Sequence, residues 1–208
     1  YELTKESIQA PNVKRTGDFR KDRNIRTGSS HPYDYKRSGY DRGHLTPAGD
    51  MAFSKNSMSS TFLMSNISPQ IRGFNGGVWR ELEENVRDWA YSFRHLYVVS
   101  GPVLTRKPLT YIGDNQVAVP SYYYKVLLDV REPEEKGIAF LLPNEVTDKH
   151  LREFAVPIDQ VEELTGIDFF PNLLPSSQIE NLERNIDISK WKFDEGKFNS
   201  RVRNWNNR

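Results

Sequence analysis

Asn75-Gly76-Gly77-Val78-Trp79-Arg80-Glu81-Leu82-Glu83-Glu84-Asn85-Val86-Arg87 carries a fold signal and a chemical signal in the same turns. Val78, Leu82, Val86, Trp89 and Phe93 recur at three- and four-residue steps, which predicts one apolar stripe of an α-helix over 77–94. Glu81, Glu84, Asp88 and Arg94 fall off that stripe. Glu83 and Arg87 are four residues apart and so neighbour each other along one side. Asn75 stands just before the glycine pair at the helix entrance. One helix can therefore present a carboxylate, an arginine and a neutral amide to a single place.

Upstream, Asp41-Arg42-Gly43-His44 supplies complementary parts. A histidine takes a proton from water near neutral pH. An asparagine oxygen and a carboxylate suit Mg²⁺ or Mn²⁺, not a soft metal. Arginines hold a phosphate through two hydrogen bonds at once. Together these are the requirements for breaking a phosphodiester bond. Each residue also has a plainer explanation. Glu83 and Arg87 would make a surface helix pair worth about 0.2–0.5 kcal/mol, Asn75 would cap the helix, and Arg42 would pair with an acid. Of the 4 histidines, His31, His95 and His150 lack comparable company.

Composition sets the outer bounds. The 208 residues suffice for one ordinary domain with a full core, and 12% aromatics argue against disorder. Lys plus Arg number 29 against 28 acids, so nucleic-acid binding would depend on a basic face and not on net charge. With no cysteine, thiolate metal sites and cysteine nucleophiles are excluded within the chain. No apolar run approaches the roughly 20 residues of a membrane helix. The chain opens at Tyr1 without Met, as either a removed export signal or trimming would leave it.

Residues 1–40 are basic, polar and punctuated by Pro11, Gly17, Gly28, Pro32 and Gly39, with a basic run over Val13–Lys21. After the helix, Leu96–Leu104, Gln116–Val130 and Gly137–Leu142 read as strands, with Gly101-Pro102 and Pro120 marking bends or ends. Residues 147–154 and 158–165 read as short helices, the second stopped by Gly166. Beyond Ser176 the pattern weakens, apart from a helical turn or two at Ile179–Arg184. Lys197, Arg201, Arg203 and Arg208 surround Trp191, Phe198 and Trp205. Such a mixture suits single strands, but a terminal segment packing its aromatics on the domain is the preferred reading. The organisation expected is a domain over 1–175 and a C-terminal extension over 176–208 packed on it.

Ser65-Asn66-Ile67-Ser68-Pro69-Gln70 follows the Asp41–His44 string, and Asn75 precedes a Trp79-x-x-Leu82-Glu83 helix. With Ser100-Gly101-Pro102, Val119-Pro120, Tyr124-Lys125-Val126 and Leu142-Pro143-Asn144, this pattern closely resembles the DNA/RNA non-specific endonucleases over roughly residues 12–174. The resemblance implies an α+β, ββα-metal nuclease fold with a central antiparallel sheet flanked by helices. It implies His44 as general base, Asn75 as the direct protein ligand of one Mg²⁺ or Mn²⁺, and Glu83 as the group orienting water around that ion. It implies Arg42 and Arg87 on phosphate, Asn66 in support, and Asp41 orienting its neighbours. An upstream arginine is also implied, for which Arg15 and Arg20 are both candidates. The partners implied are DNA and RNA, the products carry 5′-phosphates, and the assembly is a monomer or a homodimer.

Nothing resembles a base-reading module, so low sequence specificity is expected. Two rival readings are a catalytically silent nucleic-acid-binding module, which should have lost His44 or Asn75, and a small-substrate phosphodiesterase. A toxin neutralised by an inhibitor protein is a third, for which the chain carries no partner signal. Secretion or a periplasmic location is expected because a free nuclease endangers its own cell, with an organelle such as the mitochondrion as the alternative.

Overall fold

The computed structural model describes residues 1–107 and 109–206, so Arg208 lies outside the described residues. Strand β1 (Glu2–Thr4) leads into helix α1 (Lys5–Gln9), and a long irregular segment reaches β2 (Asp41–His44). Helix α2 (Lys55–Ser60), β3 (Ile67–Gln70), the short α3 (Arg72–Asn75) and the long α4 (Val78–Phe93) follow. Then come β4 (His95–Pro102), β5 (Thr110–Ile112), β6 (Val117–Val119), β7 (Tyr122–Asp129), β8 (Lys136–Pro143) and β9 (Ala155–Val156). Helices α5 (Ile158–Thr165), α6 (Ser176–Arg184) and α7 (Glu195–Ser200) complete the order, with a π-helical turn at Arg201–Trp205.

The central sheet has the order β1-β4-β7-β8-β9 and is antiparallel throughout. Both faces are covered, which explains why its inner strands read as unbroken apolar runs and not as alternations. Val78, Leu82, Val86 and Trp89 of α4 pack with Leu96, Val98, Tyr123, Leu127, Ile138 and Phe140 on one face. Tyr124, Val126 and Ala139 turn the other way, onto Ile158 and Val161 of α5. The alternation of a strand puts Lys125 on the α4 side with Tyr123 and Leu127. The mixed α+β class and the central antiparallel sheet are as the resemblance implied.

Beside this sheet, β2 and β3 pair antiparallel, Asp41 opposite Gln70 and His44 opposite Ile67. The chain then turns into α3 and α4, so two strands and a helix converge. Gly43 is needed here for space. A Cβ on it would lie 2.1 Å from Oε1 of Gln70, whose side chain is fully buried.

Several expectations are corrected. The Gln116–Val130 stretch divides at Pro120 into β6 and β7, which belong to different sheets. The helix expected over 147–154 shrinks to a 3₁₀ turn at Leu151–Phe154, because the Thr147 and Lys149 carbonyls accept from Arg201 instead. Glu81, off the apolar stripe, is nevertheless buried, paired with the fully buried Arg201. Trp191 lies in the core against Trp89 and Phe93. Lys197 bonds Asp88, and Arg80 stacks on Trp205 at 4.1 Å, so these C-terminal aromatics and cations are engaged within the fold.

Gly43→Ala should lower stability by about 1–3 kcal/mol through overpacking. Thermal denaturation would show this as a Tm several degrees lower, whereas an unchanged Tm would mean that Gln70 has room to move.

Candidate active site

His44 ends β2 with its ring buried, set edge-on to Phe62 at 4.9 Å and tilted against Phe19 at 5.7 Å. Its carbonyl accepts from Trp79 Nε1 at 3.1 Å, which fastens the start of α4 to the end of the hairpin. The imidazole Nε2 is shut off from solvent and has no hydrogen-bond partner. Burial, then the Arg15 and Arg42 charges, lower the ring's pKa to about 4. At neutral pH the ring is therefore uncharged and able to accept a proton.

Asn66 steadies the chain just beyond His44. Its Oδ1 accepts from Thr46 N, and its Nδ2 donates to the carbonyls of Thr46 and Thr61, each at 2.9 Å. Its own carbonyl accepts from Leu45 N at 3.0 Å. With its amide spent on backbone, Asn66 is a positioning residue. Asp41 has a similar task at the other end of β2, taking Asn75 Nδ2 at 3.2 Å and facing Arg72 Nε at 3.5 Å. That bond fixes which end of the Asn75 amide is nitrogen.

Beneath α4 lies a set of charges. Asp50, buried, accepts from Arg87 Nη1 at 2.8 Å and from the Tyr1 hydroxyl at 2.7 Å. Arg87 thus pairs with Asp50, and the surface pair between Glu83 and Arg87 is not formed. Lys125 is fully buried, its ammonium 4.7 Å from the Trp79 ring centroid and 2.5 Å from Ser100 Oγ. Burial pushes the Glu83 carboxyl up and the Lys125 ammonium down, and their mutual attraction opposes both shifts. Asp50 adds to the rise at Glu83, while Arg87 and Arg15 counter it.

Asp50 escaped the sequence reading, and Lys125 was named there within Tyr124-Lys125-Val126 but given no role. Lys125 had a readable signal, one cation inside the apolar strand Tyr122–Asp129. Asp50 had none, since it sits in a loop among Pro47, Ala48 and Gly49.

The arginines divide by surroundings. Arg42 is exposed and lies over Phe19 at 4.1 Å, and Arg15 lies over Phe62 at 5.0 Å. Both aromatic rings also contact His44. Arg20 is held by Asp18 Oδ2 at 2.7 Å and by the Ser59 carbonyl at 2.9 Å. A cleft of about 620 Å³ opens over Asp41, Arg42 and Asn75, with Tyr35, Lys36 and Tyr40 in its walls. It shares Phe19, Pro32 and Tyr33 with a second cleft of about 840 Å³ that is lined by Arg20, Lys21, Arg23 and His31.

Among the described residues, Asn75 Oδ1 accepts no hydrogen bond, while its nitrogen is committed to Asp41. A carbonyl oxygen fixed in direction and free of donors fits a hard divalent cation. Glu83 offers oxygens of the same hard character.

The comparisons with known proteins point to nucleases. Human mitochondrial nuclease EXOG is 38% identical over 197 residues, covering 86% of this chain and 53% of its own. Human mitochondrial endonuclease G is 32% identical over 191 residues, covering 83% and 63%. The mitochondrial nuclease of Saccharomyces cerevisiae is 34% identical over 198 residues, covering 85% and 60%. The chain spans about half the length of the curated relatives it matches. A crystal structure of the EndoG/EndoGI complex, solved for the mechanism of EndoG inhibition, superposes with a TM-score of 0.75 at 33% identity, covering 85% of this chain and 78% of that one. Residues 1–176 match the DNA/RNA non-specific endonuclease pattern from β1 to the first residue of α6, and the chain belongs to that family.

Proposed function

We propose that this chain is a cation-dependent endonuclease that hydrolyses phosphodiester bonds of DNA and RNA with little regard for sequence. The observation that carries this reading is the His44 ring: buried, with Nε2 unpaired, and kept uncharged by that burial and by the Arg15 and Arg42 charges. A ring held only by packing has its proton-accepting capacity unspent.

His44 takes a proton from the attacking water as the new oxygen–phosphorus bond forms. Arg42, exposed over the cleft, meets the phosphoryl oxygens, and Arg15 adds positive charge beside His44. Arg87, fixed by Asp50, is pre-aimed, so no reorganisation is needed as charge develops. Asn75 Oδ1 and, through water, Glu83 would hold Mg²⁺ or Mn²⁺, which as a Lewis acid stabilises the departing oxygen. Rupture of the bond to the 3′ oxygen leaves a 3′-hydroxyl and a 5′-phosphate.

Arginine, lysine and tyrosine side chains line the clefts, suited to gripping phosphate and stacking on bases without reading their edges. Binding should therefore weaken steeply with salt. The mitochondrial names of the relatives favour the organellar location over the secreted one. An inhibitor protein is a proposed partner, by likeness to the neighbour solved with one, and a homodimer is proposed as the assembly in solution. The binding-only reading gives no role to an imidazole kept uncharged with an unpaired nitrogen.

Plasmid digestion tests the core of this. His44→Ala should cut at least about 10²–10⁴-fold more slowly while keeping its fold and DNA affinity, and parent-like cleavage would rule out His44 as the base. EDTA should stop cleavage and Mg²⁺ or Mn²⁺ restore it, so full activity in EDTA would end the cation reading. The acid limb of kcat/KM should fall near pH 4, where His44 becomes protonated. Arg15→Ala removes a charge that opposes protonation and should shift that limb to higher pH, which a pH–rate profile reads directly. Asp50→Asn should leave Arg87 unanchored and lower kcat by about 10²-fold. Unchanged kcat in a folded variant would show that Arg87 needs no anchor.

A further inference from the structure

On the sheet face opposite α4, Asp159 and Glu162 of α5 meet Glu183 of α6, with one carboxylate oxygen from each lying within 4.8 Å of the others. Clustered acids alone are common, but Glu183 is unusual among them. It is only 5% exposed, and its Oε1 is buried with no hydrogen-bond partner. A buried carboxylate oxygen left unpaired costs free energy unless a proton or a cation meets it.

The surroundings favour a cation. Glu162 Oε1 is already engaged by Phe169 N at 2.6 Å, which holds that carboxylate in place. The basic side chain paired with the cluster is the exposed Arg184, whose Nε lies 3.6 Å from Asp159 Oδ2. Asp168 beyond α5 and Glu180 on α6 add further negative charge. Oxygens that share one Ca²⁺ stand at most about 4.6–5.2 Å apart, given ligand distances of 2.3–2.6 Å, and the three carboxylates, within 4.8 Å of one another, fall inside that limit.

We propose that Asp159, Glu162 and Glu183 form a divalent-cation site that clamps α6 to α5 and takes Ca²⁺. Helix α6 starts at Ser176, where the family match ends, so the ion joins the C-terminal segment to the nuclease domain. The site is structural, and it is independent of the cleavage chemistry on the other side of the sheet.

The test uses the full chain with Asn75→Ala, so that binding at the cleavage site does not intrude. After EDTA and exchange into pH 8 buffer, calorimetric titration with CaCl₂ should show one ion per chain, saturating below about 10 mM. Tm should rise by about 5–10 °C at ~100 times the dissociation constant. Adding Glu183→Gln should abolish the binding and raise the ion-free Tm, because the repulsion is gone. Asp159→Asn serves as the second variant if that one fails to fold. Absence of binding up to 10 mM, or binding that survives both substitutions, overturns the proposal. Neither result bears on the cleavage reading, which plasmid digestion tests separately.

Discussion

A lysine ammonium with no exposed surface has to be compensated, and Lys125 imposes that requirement at the middle of the central sheet. Strand alternation points it at α4, where Trp79 offers a ring face and Glu83 an opposite charge. Glu83 in turn draws on Arg87 and shares its surroundings with Asp50. The site is built on this chain of compensation. Removing any one member leaves a buried charge unmatched, so the charges and the packing of α4 against the sheet are one requirement.

Geometry converts that requirement into a site. The Trp79–His44 hydrogen bond ties the hairpin to the helix, while Asn66 and Asp41 secure the two ends of β2. Only side chains that face the cleft, Arg42 and Asn75 among them, retain open surface there. Rigid support beneath and open chemistry above is the arrangement expected of a preorganised electrostatic site.

Much of this was legible beforehand because helical and strand periodicities repeat over many residues. The α4 stripe, the strands β4 and β8, and the Gly166 stop to α5 all follow from pattern. What escaped depends on distant partners. Glu81 looked like a surface acid because its partner, Arg201, lies more than a hundred residues away. The carbonyls of Thr147 and Lys149 left helical pairing for the same arginine. Pro120 was visible as a break, but which sheet received each side of it was a tertiary outcome. At the site, the motif residues could be named while Asp50 could not, since a loop aspartate acquires meaning only when Arg87 and Tyr1 reach it.

The Glu81–Arg201 pair has a consequence for how α4 sits. Glu81 and Glu83 are two residues apart, or about 200° around the helix axis, so opposite flanks of α4 carry Glu81, paired with Arg201, and Glu83, near Lys125, while Arg87 ties the helix to Asp50. Any roll of the helix that brought Glu83 toward Asp50 would drag Glu81 away from Arg201. The helix is held as an axle with a key on each side, and the C-terminal turn at Arg201–Trp205 supplies one of those keys. Through it, a segment beyond the matched family region sets the azimuth of the Glu83 carboxylate.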